Sequence, residues 1–465
     1  MTGKDHRLNR RSFVVGLGAT TVASGGAFGC DVVGAVPDLA TFTAIPWRAT
    51  GGADEIVTAG WSLHGIGAAR YRRVAAPTPA IVRWASRAAA TSRDGYHYVL
   101  VPGETIEVDQ FGAVGDDDSD DFDAIQAAIA FWQMVGGTLA FTAGRRYFVG
   151  RWSSTDNRVF MIDHLRAATI DGRGATLRTH SSATRCQTYL FTLRDFRDVT
   201  IRRLHATDSG TDINVEWRGL YFVSPDANLG PCANLVLHDV TVTNAVALVF
   251  VAGSLPARVS GIRITNCLAR HCYYGMCFAE NGDDVYAELE TDNCRRSYFA
   301  YGVHGHKIRL IVNHDGGGAG ADACCLIKRY VFDTAQIELA ATFHGSVAGF
   351  ANLVKLEHQP MPVGTIGSIS EISIALDLQA VTTGLDRVTG IGFASYAGAR
   401  LETVPTANRW QNIKISGDLS RLRQPFAGYS SPARGVAIDA DGLTLGVTGP
   451  LPTGYTLRQH SPAAH

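Results

Sequence analysis

From about residue 199 onward, short runs of alternating apolar and polar residues recur along the chain. They begin at Val199, Leu235, Ile262, Val285, Ile308, Ile337, Ile372 and Ile413, as in Ile262-Arg263-Ile264 or Ile337-Glu338-Leu339. Alternation with period two marks a strand with one buried face. The leading residues stand 36, 27, 23, 23, 29, 35 and 41 positions apart. A minimum near 23 with longer steps elsewhere is the spacing of stacked coils that carry loop insertions. A second series starts at Leu220, Leu248, Met276, Tyr298, Leu326 and Leu353. Polar pairs between the series (Thr243-Asn244, Thr265-Asn266, Asp292-Asn293, Asn313-His314) suit a ladder of corner side chains that satisfies corner backbone groups. One coil cannot bury its inner face alone; stacking supplies the core. The pattern predicts an all-β parallel solenoid of about nine or ten coils over roughly 165–450.

The pattern changes upstream. Phe122–Met134 carries apolar residues at 122, 125, 129 and 132, one face of a helix. Asp120 or Asp121 is placed to cap its N-terminus, and Gly136-Gly137 ends it. Short strands are expected at Thr138–Phe141 and Tyr147–Val149. Residues 36–105 read as a small β-rich module, with Tyr96–Leu100 alternating like a strand. Its Arg70, Arg72 and Arg73 fit a solvated strand face better than a glycan contact.

The string DQFGAVGDDDSDDFDAIQAAIAFWQMVGGTLAFTAGRRYFV resembles the opening of the pectate-lyase-like superfamily. That superfamily includes rhamnogalacturonase/epimerase-like and phage tailspike-type proteins. Asp116, Asp120, Asp121, Ile125, Gln126, Gly136, Gly137, Thr138 and Gly144 carry the likeness, while Asp117 stands where the family prefers Gly. The resemblance implies a right-handed parallel β-helix over 106–450 behind an N-terminal helical cap, and an activity on polysaccharides. The acidic loop could also hold Ca²⁺ as a cofactor, although capping accounts for it more simply. No other cofactor or metal is expected.

Residues 1–35 stand apart. Asn9-Arg10-Arg11-Ser12-Phe13 followed by a Gly/Ala-rich run resembles a twin-arginine signal peptide, which implies the twin-arginine export machinery as partner and a periplasmic or secreted protein. Cys30, after Ala27-Phe28-Gly29, is a candidate lipid anchor. The run is too short to span a bilayer, and no later stretch is long enough for a membrane span. Residues 451–465 are read as a tail.

Composition narrows the picture. Lys and Arg (42) balance Asp and Glu (43), so no net field draws in nucleic acid. An apolar share of 46% excludes wholesale disorder. The nine cysteines form no CxxC pair, which disfavours zinc and suggests buried thiols within the coils.

Chemistry must come from a site on the coils, because this fold class hosts many activities. In the earlier coils the second series is read as presenting Val223 and Val251 outward. Later coils place Glu280, His304, Lys328 and Glu357 at or after equivalent positions, with Arg295, Arg296, Tyr301, Arg329 and Tyr330 around them. Lys328 and Glu357 fall in one column. Two reactions on an acidic polysaccharide fit these residues. In β-elimination, Lys328 or His304 is the base and an arginine clamps the uronate carboxylate. In hydrolysis, two carboxylates from Glu280, Asp283, Asp284 and Glu357 flank the glycosidic bond. Asp283-Asp284, His304-Gly305 and Ile327-Lys328 imitate part of a polygalacturonase-type pattern, but no Asp stands one coil earlier. The other reading is a non-catalytic glycan-binding or structural envelope protein.

Overall fold

A computed structural model of the chain describes residues 38–150, 157–180, 188–215, 219–227, 230–252, 258–279, 281–316, 321–329, 334–358, 369–395, 411–428, 436–439, 443–445 and 455–458. The segment 1–35 read as a signal peptide, with Cys30, lies outside the described residues, as do Glu280 and Tyr330. The chain divides into two compact units: Met1–Phe148 with Ala168–Arg173, and Val149–Ala167 with Gly174–His465.

In the first unit, a five-stranded sheet runs in the order Asp38–Leu39, Glu55–Gly60, His64–Val74, His97–Leu100, Ala89–Thr91. Ile56, Tyr71 and Tyr98 are its buried side. Arg70 and Arg72 pair with Glu55, and Arg73 with Asp54, on the exposed side. The Phe122–Val135 helix buries Ile125, Ile129, Phe131 and Trp132, close to the face the spacing predicts. The acidic loop is wired differently from expectation. Asp121 sits at the helix start but makes no capping bond. Its carboxylate instead accepts the backbone N–H groups of Val114 (2.6 Å) and Gly115 (3.2 Å), fixing the glycine turn. Asp120 accepts from the Phe122 N–H. Asp116 accepts from the N–H groups of Asp118 and Ser119, and Asp117 pairs with Arg146.

The second unit is a parallel β-helix. One sheet contains ten parallel strands, from Arg158–Asp163 through Tyr274–Ala279, Arg296–Tyr301, Ala321–Arg329 and Phe350–His358 to Gln424–Gly428. The other stacks longer strands, including Arg197–Asp208, Cys232–Thr243, Val259–Arg270, Asp283–Asp292, His304–His314 and Thr334–Ser346. The chain alternates between the two, so each coil contributes one short and one long strand. The first sequence series forms the long-strand sheet and the second forms the short-strand sheet. Val199, Leu235, Ile262, Ile337, Ile372 and Ile413 point inward and are at most 1% exposed.

One expected register differs. Val285 pairs with His306, and Ile308 pairs with Ala287. The residue aligned with Val285 is therefore His306, two before Ile308 in the His304–His314 strand, a shift that keeps every side chain on its face.

Left-handed backbone marks the corners. Asp198, Asn234, Gly261, Asp284, Gly305, Gln336, Glu371 and Asn412 each follow a register-aligned residue and all have φ between 52° and 68°. Short polar side chains and glycine tolerate this conformation best. At Gly261 and Gly305 a Cβ would lie 2.6 Å and 2.8 Å from the side-chain oxygens of Asn234 and Asp284 in the preceding coil. The expected corner ladder splits into two columns. Asn244, His271 and Asn293 stack at the turn into the short strands, whereas Asn266 stacks with Arg203 and Asp239 inside the long strands. Asn293 does satisfy a corner group, accepting the Asp315 N–H at 2.9 Å. The seven described cysteines are free and buried.

Candidate functional site

The two faces of the short-strand sheet are told apart by His306. This side chain is inside the coil, and Tyr298 and Phe278 reach it there. Their columns, which also hold Val223, Val249, Met276, Val251, Ile327 and Leu356, therefore face inward. Val223 and Val251 are fully buried members of that core. The sequence reading of them as outward positions is corrected accordingly. In the earlier coils the pairing skips one residue (Leu190, Phe222, Leu248, Gly275), and across it the alternation of sides is lost. Phe222 packs edge-on against the inward Phe191, whereas Tyr221 joins the outward cluster.

The outward face of the earlier coils is thus aromatic rather than aliphatic. Tyr189 lies 5.0 Å from Tyr221, Tyr221 lies 4.7 Å from Phe250, and Tyr274 stacks on Phe299 at 5.4 Å. Tyr301 meets Phe299 edge-on. Arg295 lies 5.0 Å over the ring of Tyr273, and Arg296 lies 5.7 Å from the same ring and 5.9 Å from Tyr274.

Further along, the same face becomes charged. Tyr301, Lys328 and Glu357 stand in register on three successive strands. Lys328 Nζ is 3.0 Å from Glu357 Oε1, and Lys355 Nζ is 3.2 Å from Glu357 Oε2. Lys355 also contacts Asp322 Oδ2 at 2.8 Å. Glu357 is 7% exposed at its side chain, while Asp322 is 42% exposed. Burial would lower the Lys355 ammonium, but its hydrogen bond to Asp322 and the charges of Glu357 and Asp322 outweigh that. Lys355 lies above its usual range. Because both carboxylates touch one nitrogen, their oxygens are within about 6 Å of each other.

Sequence reasoning passed over Asp322. It precedes the apolar run Ala323–Ile327, and its link to Lys355 crosses the ladder diagonally. Position in the run Asp322-Ala323-Cys324 gave little hint of chemistry. Arg329 ends its strand opposite His358. His304 is elsewhere: it begins a long strand, opposite Asp283 and Ala335, and its N–H donates to Asp283. Among the described residues no hydrogen bond or ion pair joins it to Lys328 or Glu357. Asp283 is engaged by Arg258 through both Nε and Nη2, so it is tied into that corner rather than open to a ligand. His306 donates from Nε2 to the Gly282 carbonyl and accepts the Tyr298 hydroxyl at Nδ1, each at 2.8 Å. Burial depresses it to about 4.

No protein-family profile and no curated protein matches the sequence. Solved structures similar to it include the mannuronan C-5 epimerase AlgE6 A-module of Azotobacter vinelandii (15% identity; 77% of this chain and 99% of that one; TM-score 0.36). The tailspike protein of Acinetobacter baumannii phage AM24 is another (13% identity; 88% and 65% covered; TM-score 0.46). A third is the tailspike protein of E. coli bacteriophage HK620 in complex with a pentasaccharide (13% identity; 81% and 70% covered; TM-score 0.38). At these identities the likeness is one of fold alone. The chain is a parallel β-helix protein, the fold that its opening motif implies.

Proposed function

We propose that the chain is an exported polysaccharide-active enzyme that cleaves glycosidic bonds by hydrolysis on the outward short-strand face. The observation that supports this is the pair Glu357 and Asp322, held within about 6 Å by Lys355. Glycosidases need two carboxyl groups across the scissile bond, and a separation of about 5–5.5 Å goes with a covalent glycosyl-enzyme route. Glu357 accepts an ammonium at each oxygen and is nearly buried, the arrangement of an oriented nucleophile. Asp322 is open to water and can exchange the proton that the leaving oxygen takes. β-Elimination is less well served. Its proposed base, Lys328, is committed to a carboxylate, and His304 lies around the corner on the other sheet.

The test is a panel of neutral and uronate glycans, read for new reducing ends and for the absorbance of unsaturated products. Reducing ends without unsaturated products are expected. Glu357→Gln should lower turnover by about a thousandfold or more with the fold intact, as for other groups acting in the transition state. Unsaturated products, or a Glu357→Gln variant of normal activity, would overturn the proposal. The aromatic stripe favours a second reading, a glycan binder without turnover. It predicts retention of glycans by the wild type with no new reducing ends.

A further inference from the structure

Charged side chains on the outward short-strand face come in matched sets: Lys328 with Glu357, Lys355 with Glu357 and Asp322, and Arg194 with both oxygens of Asp163 at 2.6 Å. Arg295 breaks this rule. Its Nη1 donates to the Asn214 carbonyl at 2.8 Å, and its Nε is buried without a partner. Among the described residues no carboxylate pairs with it. The Arg295 guanidinium carbon lies 5.0 Å from the centre of the Tyr273 ring, and Arg296 reaches toward the same ring. Two half-buried cations at one ring, one of them without a carboxylate partner among the described residues, form an arrangement that an arriving anion would relieve.

We infer that Arg295 anchors a subsite for an anionic sugar substituent, a carboxylate or a sulfate, on the coils that precede the Asp322–Glu357 pair. This deepens the glycan reading of that face and rests on it. The cation–ring contact with Tyr273 and the bond to Asn214 hold the guanidinium in place, so little freedom is lost when an anion docks. Its remaining N–H edge suits a group that presents two oxygens side by side. Its position sets the distance along the axis. The guanidinium leans over Tyr273 of the coil before Arg295, whereas Asp322 belongs to the coil after it. Two coils are about 10 Å, so the anion would belong to a sugar removed from the cleaved bond toward the earlier coils.

Three probes share one ring and differ at a single carbon: glucose, glucuronate and glucose 6-sulfate. Binding of each to the full chain is measured by calorimetric or NMR titration at two salt concentrations. At least one anion should bind about tenfold more tightly than glucose, with the advantage shrinking as salt rises. Whether the carboxylate or the sulfate wins identifies the substituent. Arg295→Ala should erase the advantage and Arg295→Lys should keep part of it, whereas Arg309→Ala on the long-strand face should change nothing. Equal binding of all three probes, or an anion preference that survives in Arg295→Ala, overturns the inference. If Arg295→Ala does not fold, Arg295→Lys decides, since an undiminished preference there removes the need for the guanidinium fork. Failure of the hydrolase reading looks different: glucuronate or sulfate is bound, yet no glycan is cleaved. Cleavage of a neutral glycan with no anion preference removes the subsite alone.

Discussion

His306 occupies a position that the coils on either side give to aliphatic side chains: Val285 before it, then Ile337, Ile372 and Ile413. The imidazole is kept neutral by burial, which depresses it to about 4 against 6.5 in water, and both of its nitrogens are satisfied. A depressed histidine leaves the unfolded chain holding more protons between those two values. Its contribution is therefore complete above about pH 6.5 and is lost progressively as pH falls toward 4, by about 3 kcal/mol in all. Asp121, raised to about 6 by burial, acts in the opposite sense, since its contribution is present at low pH and is lost as pH rises from 3.8 toward 6. Comparing His306→Leu with the parent isolates the histidine. The variant should be about 1–3 kcal/mol less stable at pH 7, because the Tyr298 hydroxyl and Gly282 carbonyl lose their partner. The gap in denaturant midpoint should close between pH 6.5 and 4. A gap that stays constant would mean that His306 titrates normally. The same residue explains the misread register. A histidine in an aliphatic column interrupts the apolar alternation, so the strand seems to begin at Ile308. Lys328 and Glu357, by contrast, follow Ile327 and Leu356 at equal offsets, and their column could be read directly.

At the scale of strands and corners, long-strand alternation was legible because a single buried face dictates it. The short strands were harder to read. Their ladder is interrupted once in each of the earlier coils, and that interruption reverses which parity faces out. Phe250 was passed over, and Val223 and Val251 were read as the outward positions, because period-two reasoning assumes an unbroken pleat. The left-handed corner column gives a sharper test of what fixes the coils in register. Gly305 (φ 67°) follows Asp284 and precedes Gln336 in this column, so a side chain is sterically possible if it accepts that backbone. Gly305→Asn should cost about 1 kcal/mol or less, with Asp284 rotating aside. Gly305→Val should cost about 2 kcal/mol or more, since β-branched residues resist the left-handed region. Urea midpoints with unchanged slopes are the measurement. Equal losses for both variants would point to the contact with Asp284, rather than backbone conformation, as the constraint.

At the scale of the whole molecule, the chemistry of the core bears on the proposed export by the twin-arginine route. Every described cysteine is a buried free thiol, and burial pushes the Cys267 thiol to about 12, where it is inert. A parallel solenoid closes only through long-range pairings, and such chains fold slowly and expose unpaired strand edges meanwhile. Emerging unfolded into an oxidising compartment, the nine cysteines could cross-link before the coils close. Folding first in a reducing cytoplasm removes that hazard, and the twin-arginine route carries folded proteins. The Arg10-Arg11 pair ahead of Phe13 is thus consistent with the chemistry of the core it would deliver. Replacing both arginines by lysine should leave full-length precursor in the cytoplasm, folded and protease-resistant. The exported parent, unfolded and alkylated without reductant, should yield free thiols at Cys232, Cys267, Cys272, Cys277, Cys294, Cys324 and Cys325. Undiminished export of the lysine variant would dismiss the route. Disulfides among those seven residues would show that the chain had met the oxidising compartment before its coils closed.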